Sequence, residues 1–163
     1  MVTDIHLYTD CSGQYKHYGI SGLLVEYTGL KGVETKWGHN KTIDGINEDI
    51  KSTGPGSISV GEMFAILAGL SRLGDTNGVK VSVYTDNLHC FNLLNGVSKP
   101  KQENLKKMIE LVDYLRTIHN IEIMWIKAHV GTWGSEIVDD LAKRARFGSK
   151  YNRERVITTL QRR

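Results

Sequence analysis

The sequence contains few of the residues that mark unusual classes of protein. Among its 163 residues there are only two prolines and two cysteines, Cys11 and Cys90. So little proline argues against a collagen-like or proline-rich disordered chain. Two cysteines are too few for a disulfide framework, so we expect a reducing, cytoplasmic setting. The apolar runs are short and the first ten residues lack the pattern of a signal peptide, so we expect neither a membrane span nor export.

What is present is the composition of one compact domain with an uneven distribution of charge. Hydrophobic residues make up 40% of the chain and charged residues 24%, and the net charge is only +3. Residues 146–163 contain six basic residues and one acid, which makes residues 1–145 mildly acidic. We therefore predict a domain over 1–147 and a basic tail over 148–163. The tail either contacts a polyanion or is an ordinary solvated end.

Hydrophobic periodicity predicts that strands come first and helices later. Alternation with turn glycines predicts strands at 4–9, 18–27 and 33–39, and the polar, glycine-bearing text at 40–60 is typical of a long connection. The remaining chain alternates between helical and extended patterns, with helices at 62–73, 88–95 and 100–119, strands at 79–85 and 121–127, and a last helix from about residue 135. This order predicts an α/β fold with a mixed sheet and helices on its faces.

Four acidic residues lie at or near the ends of these predicted elements: Asp10, Glu62, Asp86 and Asp139. Taken singly, each is as typical of a turn or of a partner for a helix dipole as of a catalytic site. Asp10 and Asp86 follow strands whose carboxyl ends lie side by side if the strands are parallel. Carboxylates that converge raise each other's pKa unless a cation neutralises them, and Mg²⁺ suits such oxygen ligands.

Four segments carry a recognisable pattern when they are taken in order. They are LYTDCSG at 7–13, GEMFAILAGL at 61–70, VYTDNLHC at 83–90 and WIKAHVGTWGSEIVDDLAKRA at 125–145. In this order they resemble the four signature regions of the type 1 ribonuclease H family, which read YTDGS, a helix opening with Glu, TDS, and WVxGHxGxxxNExAD. The resemblance runs from about residue 4 to 146, and its last block is the most specific.

The resemblance implies a fold, an activity and a cofactor. The fold is ribonuclease H-like, with a five-stranded mixed sheet of three antiparallel strands followed by parallel ones, and with helices on both faces. The activity is endonucleolytic hydrolysis of the RNA strand of an RNA/DNA hybrid, which leaves 5′-phosphate and 3′-hydroxyl ends. The cofactor is a pair of Mg²⁺ ions, with Mn²⁺ as an alternative. We expect the catalytic domain at 1–147 to act as a monomer.

Residue by residue, the resemblance implies four metal ligands and a histidine on the loop before the last helix. Asp139 is preferred to its neighbour Asp140 because it stands at the family's interval from that histidine. Glu48 and Asp49 are the alternatives to Glu62, although neither opens an amphipathic helix. The implied catalytic set is therefore Asp10, Glu62, Asp86, His129 and Asp139, in which His129 accepts or hands on a proton or helps product leave.

The chain departs from the family pattern where a substrate is expected to bind. Cys11 replaces the usual Gly after the first Asp, and Ser135 replaces the Asn of the last block. Ser57 and Ser59 stand where Thr-Asn precedes the helical Glu. The chain is also too short after Asp86 for the family's full basic protrusion, and Lys99, Lys101, Lys106 and Lys107 form either a reduced phosphate contact or a solvated helix start. The candidate substrate contacts are Cys11, Ser12, Ser59, Asn87, Lys99 and Lys101.

Other functions compatible with the same residues belong to different classes. A junction resolvase or a reverse-transcriptase-type ribonuclease H domain would share the acids but differ in substrate. A nucleic-acid-binding module with a disused site would bind without turnover. A small-molecule phosphohydrolase would need a phosphate-binding loop rich in glycine, and the sequence has none of the right form.

Overall fold

The computed structural model describes residues 1–14, 17–42, 55–127, 132–148 and 153–162. Within these ranges it contains six strands and four helices. In chain order they are β1 (Asp4–Gln14), β2 (His17–Thr28), β3 (Lys31–Thr42), α1 (Pro55–Leu70), β4 (Val81–Thr85), α2 (Leu88–Leu94), α3 (Glu103–Ile118), β5 (Ile121–Trp125), α4 (Trp133–Phe147) and β6 (Arg153–Gln161). None of the described helices is long and apolar enough to cross a membrane.

The strands form one mixed sheet in the order β5-β4-β1-β2-β3-β6. The first three strands are joined as antiparallel neighbours, and β4 and β5 then add in parallel on the other side of β1. The predicted α/β fold and its three antiparallel strands followed by parallel ones are confirmed. The predicted count of five strands is wrong, because β6 adds a sixth strand antiparallel to β3.

Strand β6 lies within the segment that the sequence analysis assigned to a basic tail. Its middle, Val156 to Thr159, consists of β-branched residues, which favour extended structure. Its register runs from Lys31 opposite Gln161 to Gly38 opposite Arg153, so it covers the outer edge of β3. Charge alone suggested either a polyanion contact or a solvated end, and it did not predict a strand. Pairing with the edge of β3 gives these residues backbone partners.

The two faces of the sheet are covered unequally. On one face α1, α2 and α3 build the main core, in which Ile5 and Leu7 of β1 are buried together with Met63 and Ile66 of α1. On the other face α4 packs against β1, β2 and β3, where Val138 joins a smaller cluster. Alternation along β1 therefore directs odd-numbered residues toward α1 and even-numbered residues toward α4.

Helix α1 begins earlier than its hydrophobic pattern predicts. The hydrophobic pattern predicted a start at residue 62, after a connection over 40–60. The helix instead begins at Pro55, a residue well suited to the first helical position. Val60 already packs in the main core with the helix. Glu62 consequently lies in the middle of α1 and not in its first turn, so it is not a partner for the helix dipole.

Helix α4 is held against the sheet by close backbone approach. A Cβ on Gly19 of β2 would collide with the carbonyl oxygen of Ala142 and with backbone atoms of Arg146. Close by, the hydroxyl of Ser21 donates to the carbonyl oxygen of Val138 at 2.5 Å. The side-chain amide of Asn40 donates to the carbonyl oxygen of Arg146 at 3.0 Å. The position of α4 therefore depends on a glycine in β2 and on polar contacts with its peptide groups.

We expect Gly19→Ala to lower the free energy of unfolding by about 1–3 kcal/mol, because the added methyl group must displace the backbone of α4. Gly74→Ala is the matched control, since a Cβ there meets nothing within 4 Å and Gly74 has no positive φ. Its unfolding free energy should change by less than about 0.5 kcal/mol. Urea denaturation followed by circular dichroism measures both values, and equal stability of the two variants would contradict this account of the α4 contact.

Candidate active site

Two of the four predicted acids meet because β1 and β4 are parallel neighbours. Their ladder pairs Leu7 with Val83 and Tyr8 with Tyr84. Continuing this register by two residues places Asp10 beside Asp86, just beyond the last paired residues. Both side chains thus lie at the carboxyl ends of adjacent parallel strands, where open α/β sheets commonly bind ligands.

Glu62 completes a cluster of three carboxyl groups. It extends from α1 toward the ends of β1 and β4, and one oxygen from each of Asp10, Glu62 and Asp86 lies within 4.8 Å of the other two. Asp10 is only 5% exposed and Glu62 only 4%. The backbone N–H of Cys11 donates to Asp10 Oδ1 at 2.8 Å, which orients that carboxyl group.

Burial and mutual repulsion raise the pKa values of Asp10 and Glu62. The pKa of Asp10 rises to about 7, first because the group is desolvated and second because of the charge of Asp86. The pKa of Glu62 lies well above its ordinary range through desolvation and then the charges of Asp10 and Asp86. The hydrogen bond between Glu62 and Asp10 further raises the pKa of Glu62 and lowers the pKa of Asp10. Glu62 therefore holds the shared proton more tightly.

The cluster fits a divalent cation. Glu62 Oε2 is buried and has no hydrogen-bond partner among the described atoms, although a buried carboxylate oxygen normally has one. Oxygen ligands at about 2.1 Å from one Mg²⁺ lie about 3 to 4 Å apart, a spacing compatible with three oxygens within 4.8 Å. A cation would replace the proton and relieve the repulsion that raises the pKa values.

Asp139 lies beside this cluster but outside the group of three. Its charge contributes to the raised pKa of Asp10, so it is within electrostatic range of the site. Its carboxylate accepts a bond from Lys143 Nζ at 2.9 Å. The neighbouring Asp140 instead pairs with Arg144 at 3.0 Å, with its side chain 58% exposed. This difference supports Asp139 as the fourth acid.

Three of the residues singled out from the sequence lie outside the described ranges of the chain. His129 falls in 128–131, and the alternatives Glu48 and Asp49 fall in 43–54, so all three lie outside the described residues. The described chain resumes with Thr132, immediately before α4.

Two of the candidate substrate contacts point into the protein. The thiol of Cys11 faces α1, where a Cβ on Gly61 would lie 2.5 Å from it, and burial raises its pKa well above the ordinary value. Ser59 has no exposed surface, and its carbonyl oxygen accepts from the thiol of Cys90 at 3.3 Å. Both side chains are buried.

The other four candidates lie at or near the surface. Ser12 is half-buried in β1, two residues beyond Asp10. Asn87 caps α2, because its Oδ1 accepts from the backbone N–H of Cys90 at 2.8 Å. Lys99 and Lys101 are exposed in the connection between α2 and α3.

Sequence reasoning missed two tyrosines that adjoin the acids. Tyr8 and Tyr84 line a small pocket together with Asp10 and Asp86. Their rings stack with centroids 4.6 Å apart and planes 12° from parallel. A signal was available, because Tyr-Thr-Asp occurs twice in the sequence, at 8–10 and 84–86. Its meaning depends on the pairing of β1 with β4, which aligns the two copies.

Comparison with known proteins agrees with this geometry. Ribonuclease H of Francisella philomiragia is 26% identical over 124 residues, which cover 67% of this chain and 78% of that protein. The crystal structure of RNase H1 from the archaeon Halobacterium salinarum superposes with a TM-score of 0.64 at 15% identity, covering 87% of this chain and 96% of that one. LC11-RNase H1 in complex with an RNA/DNA hybrid superposes with a TM-score of 0.61 at 16% identity, covering 88% and 96%.

The family assignment rests on the sequence itself. A model of the RNase H family matches residues 2–147, which extend from before β1 to the end of α4 and include all four predicted acids. The prediction of a ribonuclease H-type hydrolase is thereby confirmed, and β6 lies outside the matched region. Because one family model spans nearly the whole sheet and its acid cluster, the chain belongs to the RNase H family.

Proposed function

We propose that this protein is an endonuclease that hydrolyses the RNA strand of RNA/DNA hybrids with two Mg²⁺ ions, leaving 5′-phosphate and 3′-hydroxyl ends. Mn²⁺ is the alternative ion. The observation that carries the proposal is the cluster of Asp10, Glu62 and Asp86, the first two of them buried, at the parallel strand ends of an RNase H family member. We expect the protein to act as a monomer in the cytoplasm.

In the proposed site, the acids hold the cations and Asp10 has the central place. Asp10 interacts electrostatically with Glu62 of α1, with Asp86 after β4 and with Asp139 of α4. Two divalent ions held in this way supply an activated water and stabilise the leaving oxygen. Asp139, which pairs with Lys143, would join Asp10, Glu62 and Asp86 in holding the cations, and Lys143 would remain close to it as a positive charge.

His129 is the proposed proton carrier, on the basis of the family resemblance and its position before α4. A neutral imidazole near pH 7 accepts or donates a proton without a large free-energy cost. The acids are poor substitutes for it in this role, because a metal-bound carboxylate stays ionised.

The proposed substrate surface surrounds the acids. Ser12 and Asn87 lie just beyond Asp10 and Asp86 in the chain, and Lys99 and Lys101 offer positive charge in the connection between α2 and α3. Recognition of a hybrid by its shape and 2′-hydroxyl groups predicts little sequence preference. The basic segment 148–163 is a second proposed contact with the polyanion, and the complex of LC11-RNase H1 with a hybrid supports this class of substrate.

A junction resolvase or a reverse-transcriptase-type domain would use the same acids on other substrates. Labelled hybrid, duplex RNA, duplex DNA and a four-way junction of matched sequence separate these activities in one assay. Cleavage confined to the RNA strand of the hybrid is the result we expect, and preferential cleavage of the junction would replace this proposal with a resolvase.

We expect Asp10→Asn to lower Mg²⁺-dependent hybrid cleavage by at least about 10³-fold, because the central anionic ligand is lost. The melting temperature in EDTA should not fall, since the substitution also removes a repelling charge from a buried site. Initial rates on a labelled hybrid and thermal unfolding measure the two effects.

Asp140→Asn is the matched control for this substitution. Asp140 lies on the same helix as Asp139 but pairs with Arg144 on the exposed side. Its cleavage rate should remain within about twofold of the unsubstituted protein, as is usual for a surface ion pair. Full activity in Asp10→Asn would refute the proposed site.

The raised pKa of Asp10 predicts how stability depends on pH without metal. The folded-state pKa of about 7 exceeds the ordinary value, so the folded state binds an additional proton. The resulting stabilisation is fully present below about pH 4 and is lost as pH rises through 7. In EDTA, the free energy of unfolding should fall by about 2–4 kcal/mol from pH 4 to pH 8 because of this group.

Urea denaturation at several pH values checks this prediction, with Asp10→Asn as the comparison. The fall should be smaller in Asp10→Asn and should also diminish when Mg²⁺ replaces EDTA at pH 8, because the cation takes the place of the proton. Identical pH profiles for the two proteins in EDTA would show that Asp10 does not titrate in this way.

Lys99 and Lys101 should contribute to binding but not to the chemical step. We expect the pair Lys99→Gln with Lys101→Gln to raise KM, to leave kcat within about twofold, and to reduce the salt dependence of hybrid binding by about two counterions. Lys80→Gln is the control, since this exposed lysine directly precedes β4, at the end of the sheet away from the acids and on the opposite side of β1 from β6. An unchanged salt slope would assign Lys99 and Lys101 to a solvated helix start.

A further inference from the structure

The ring of Tyr8 contacts two other structural elements. It stacks on Tyr84 of β4, and Trp133 of α4 meets it edge-on with ring centroids 6.4 Å apart and planes at 80°. A Cβ on Gly134 would lie 2.5 Å from three atoms of the Tyr8 ring. The first turn of α4 therefore rests directly on this ring, and only glycine permits so close an approach.

Each element that meets at this ring carries one of the acids of the proposed site. Asp10 follows Tyr8 by two residues in β1, and Asp86 follows Tyr84 by two residues in β4. Asp139 lies five residues after Gly134 in α4. Asp10 and Asp86 are thus two residues along the chain from one aromatic contact, and Asp139 is less than two helical turns from it.

The stack is also the last point at which β1 and β4 are paired. The register between them ends with Tyr8 opposite Tyr84, so Asp10 and Asp86 extend beyond the backbone ladder. Like charges at this position push the strand ends apart, and the described β1–β4 ladder ends before the two acids. The ring stack directly below the two acids can oppose this separation of the strand ends.

We infer that Tyr8 is a positioning residue, whose ring sets the spacing of Asp10, Asp86 and Asp139 for metal binding. The inference rests on the proposed metal-dependent function. It assigns the effect to the ring and not to the hydroxyl group, because every contact described above is made by ring atoms.

Tyr84 also contacts a chain of hydrogen-bonded side chains that begins with His6. The ring of His6 stacks on Tyr84 with centroids 5.5 Å apart, and its Nδ1 is 2.9 Å from the Tyr84 hydroxyl. His6 Nε2 is 2.8 Å from a carboxylate oxygen of Asp4, which also pairs with Arg162. Tyr84 is therefore held in place by His6 as well as by Tyr8.

The test compares Tyr8→Leu with Tyr8→Phe. Titration of Mg²⁺ into the protein by calorimetry measures metal affinity without substrate, and the Mg²⁺ dependence of hybrid cleavage measures it during turnover. We expect Tyr8→Leu to weaken Mg²⁺ binding by about 10-fold or more, as is typical when a group that orients metal ligands is removed. Tyr8→Phe should stay within twofold in both measurements.

Tyr27→Leu controls for a merely structural loss. Tyr27 is a buried ring on β2, on the same side of the sheet, and it meets His6 edge-on with centroids 5.5 Å apart. It should lower the melting temperature yet leave Mg²⁺ affinity within twofold. Tyr8→Met replaces Tyr8→Leu if the latter does not fold, since methionine fills irregular space with little strain.

Two results would overturn the inference. The first is a Mg²⁺ affinity in Tyr8→Leu, or in Tyr8→Met, that equals that of Tyr27→Leu. The second is an equal loss of affinity in Tyr8→Phe, which would assign the effect to the hydroxyl group. Failure of the proposed function is recognised separately, because Asp10→Asn would then leave Mg²⁺ binding unchanged.

Discussion

Mutual repulsion among buried carboxyl groups is the constraint on which the rest of this structure depends. Asp10, Glu62 and Asp86 come from two strands and a helix, and burial and neighbouring charge raise the pKa of both Asp10 and Glu62. Such a cluster lowers the stability of the folded chain until a proton or a cation compensates it. The surrounding sheet and helices must therefore hold these groups together against their own repulsion.

The two helices nearest the acids are held by different kinds of contact. Helix α1 packs into the main core through an apolar face, so Glu62 is carried on a rigid, buried element. Helix α4 instead lies on backbone and ring surfaces, against Gly19 of β2 and the ring of Tyr8, where small residues permit close approach. The acid of α1 is consequently buried, whereas Asp139 on α4 remains partly exposed and paired with Lys143.

The sequence predicted the site better than it predicted the elements that support it. The four acids are recognisable from short motifs, and the position of Asp10 and Asp86 at strand ends follows from alternation and parallel pairing. The start of α1 was missed because Pro55, Gly56 and Ser57 resemble a loop locally, although tertiary packing of the following residues sustains a helix. Strand β6 was missed because its basic residues suggested a polyanion contact or a solvated end, while the edge of β3 that it covers lies more than 110 residues earlier in the chain.

By itself, the sequence determined the chemistry that this protein can offer: which carboxyl groups follow strands, which segments are amphipathic, and to which family the motifs belong. Only the tertiary structure decided which side chains face one another. In the folded chain Cys11 and Ser59 are buried, and Tyr8 stacks on Tyr84 beneath the acids. The physical reason is that local periodicity depends on neighbouring residues, whereas burial and ring stacking depend on pairing between segments that are distant in the chain.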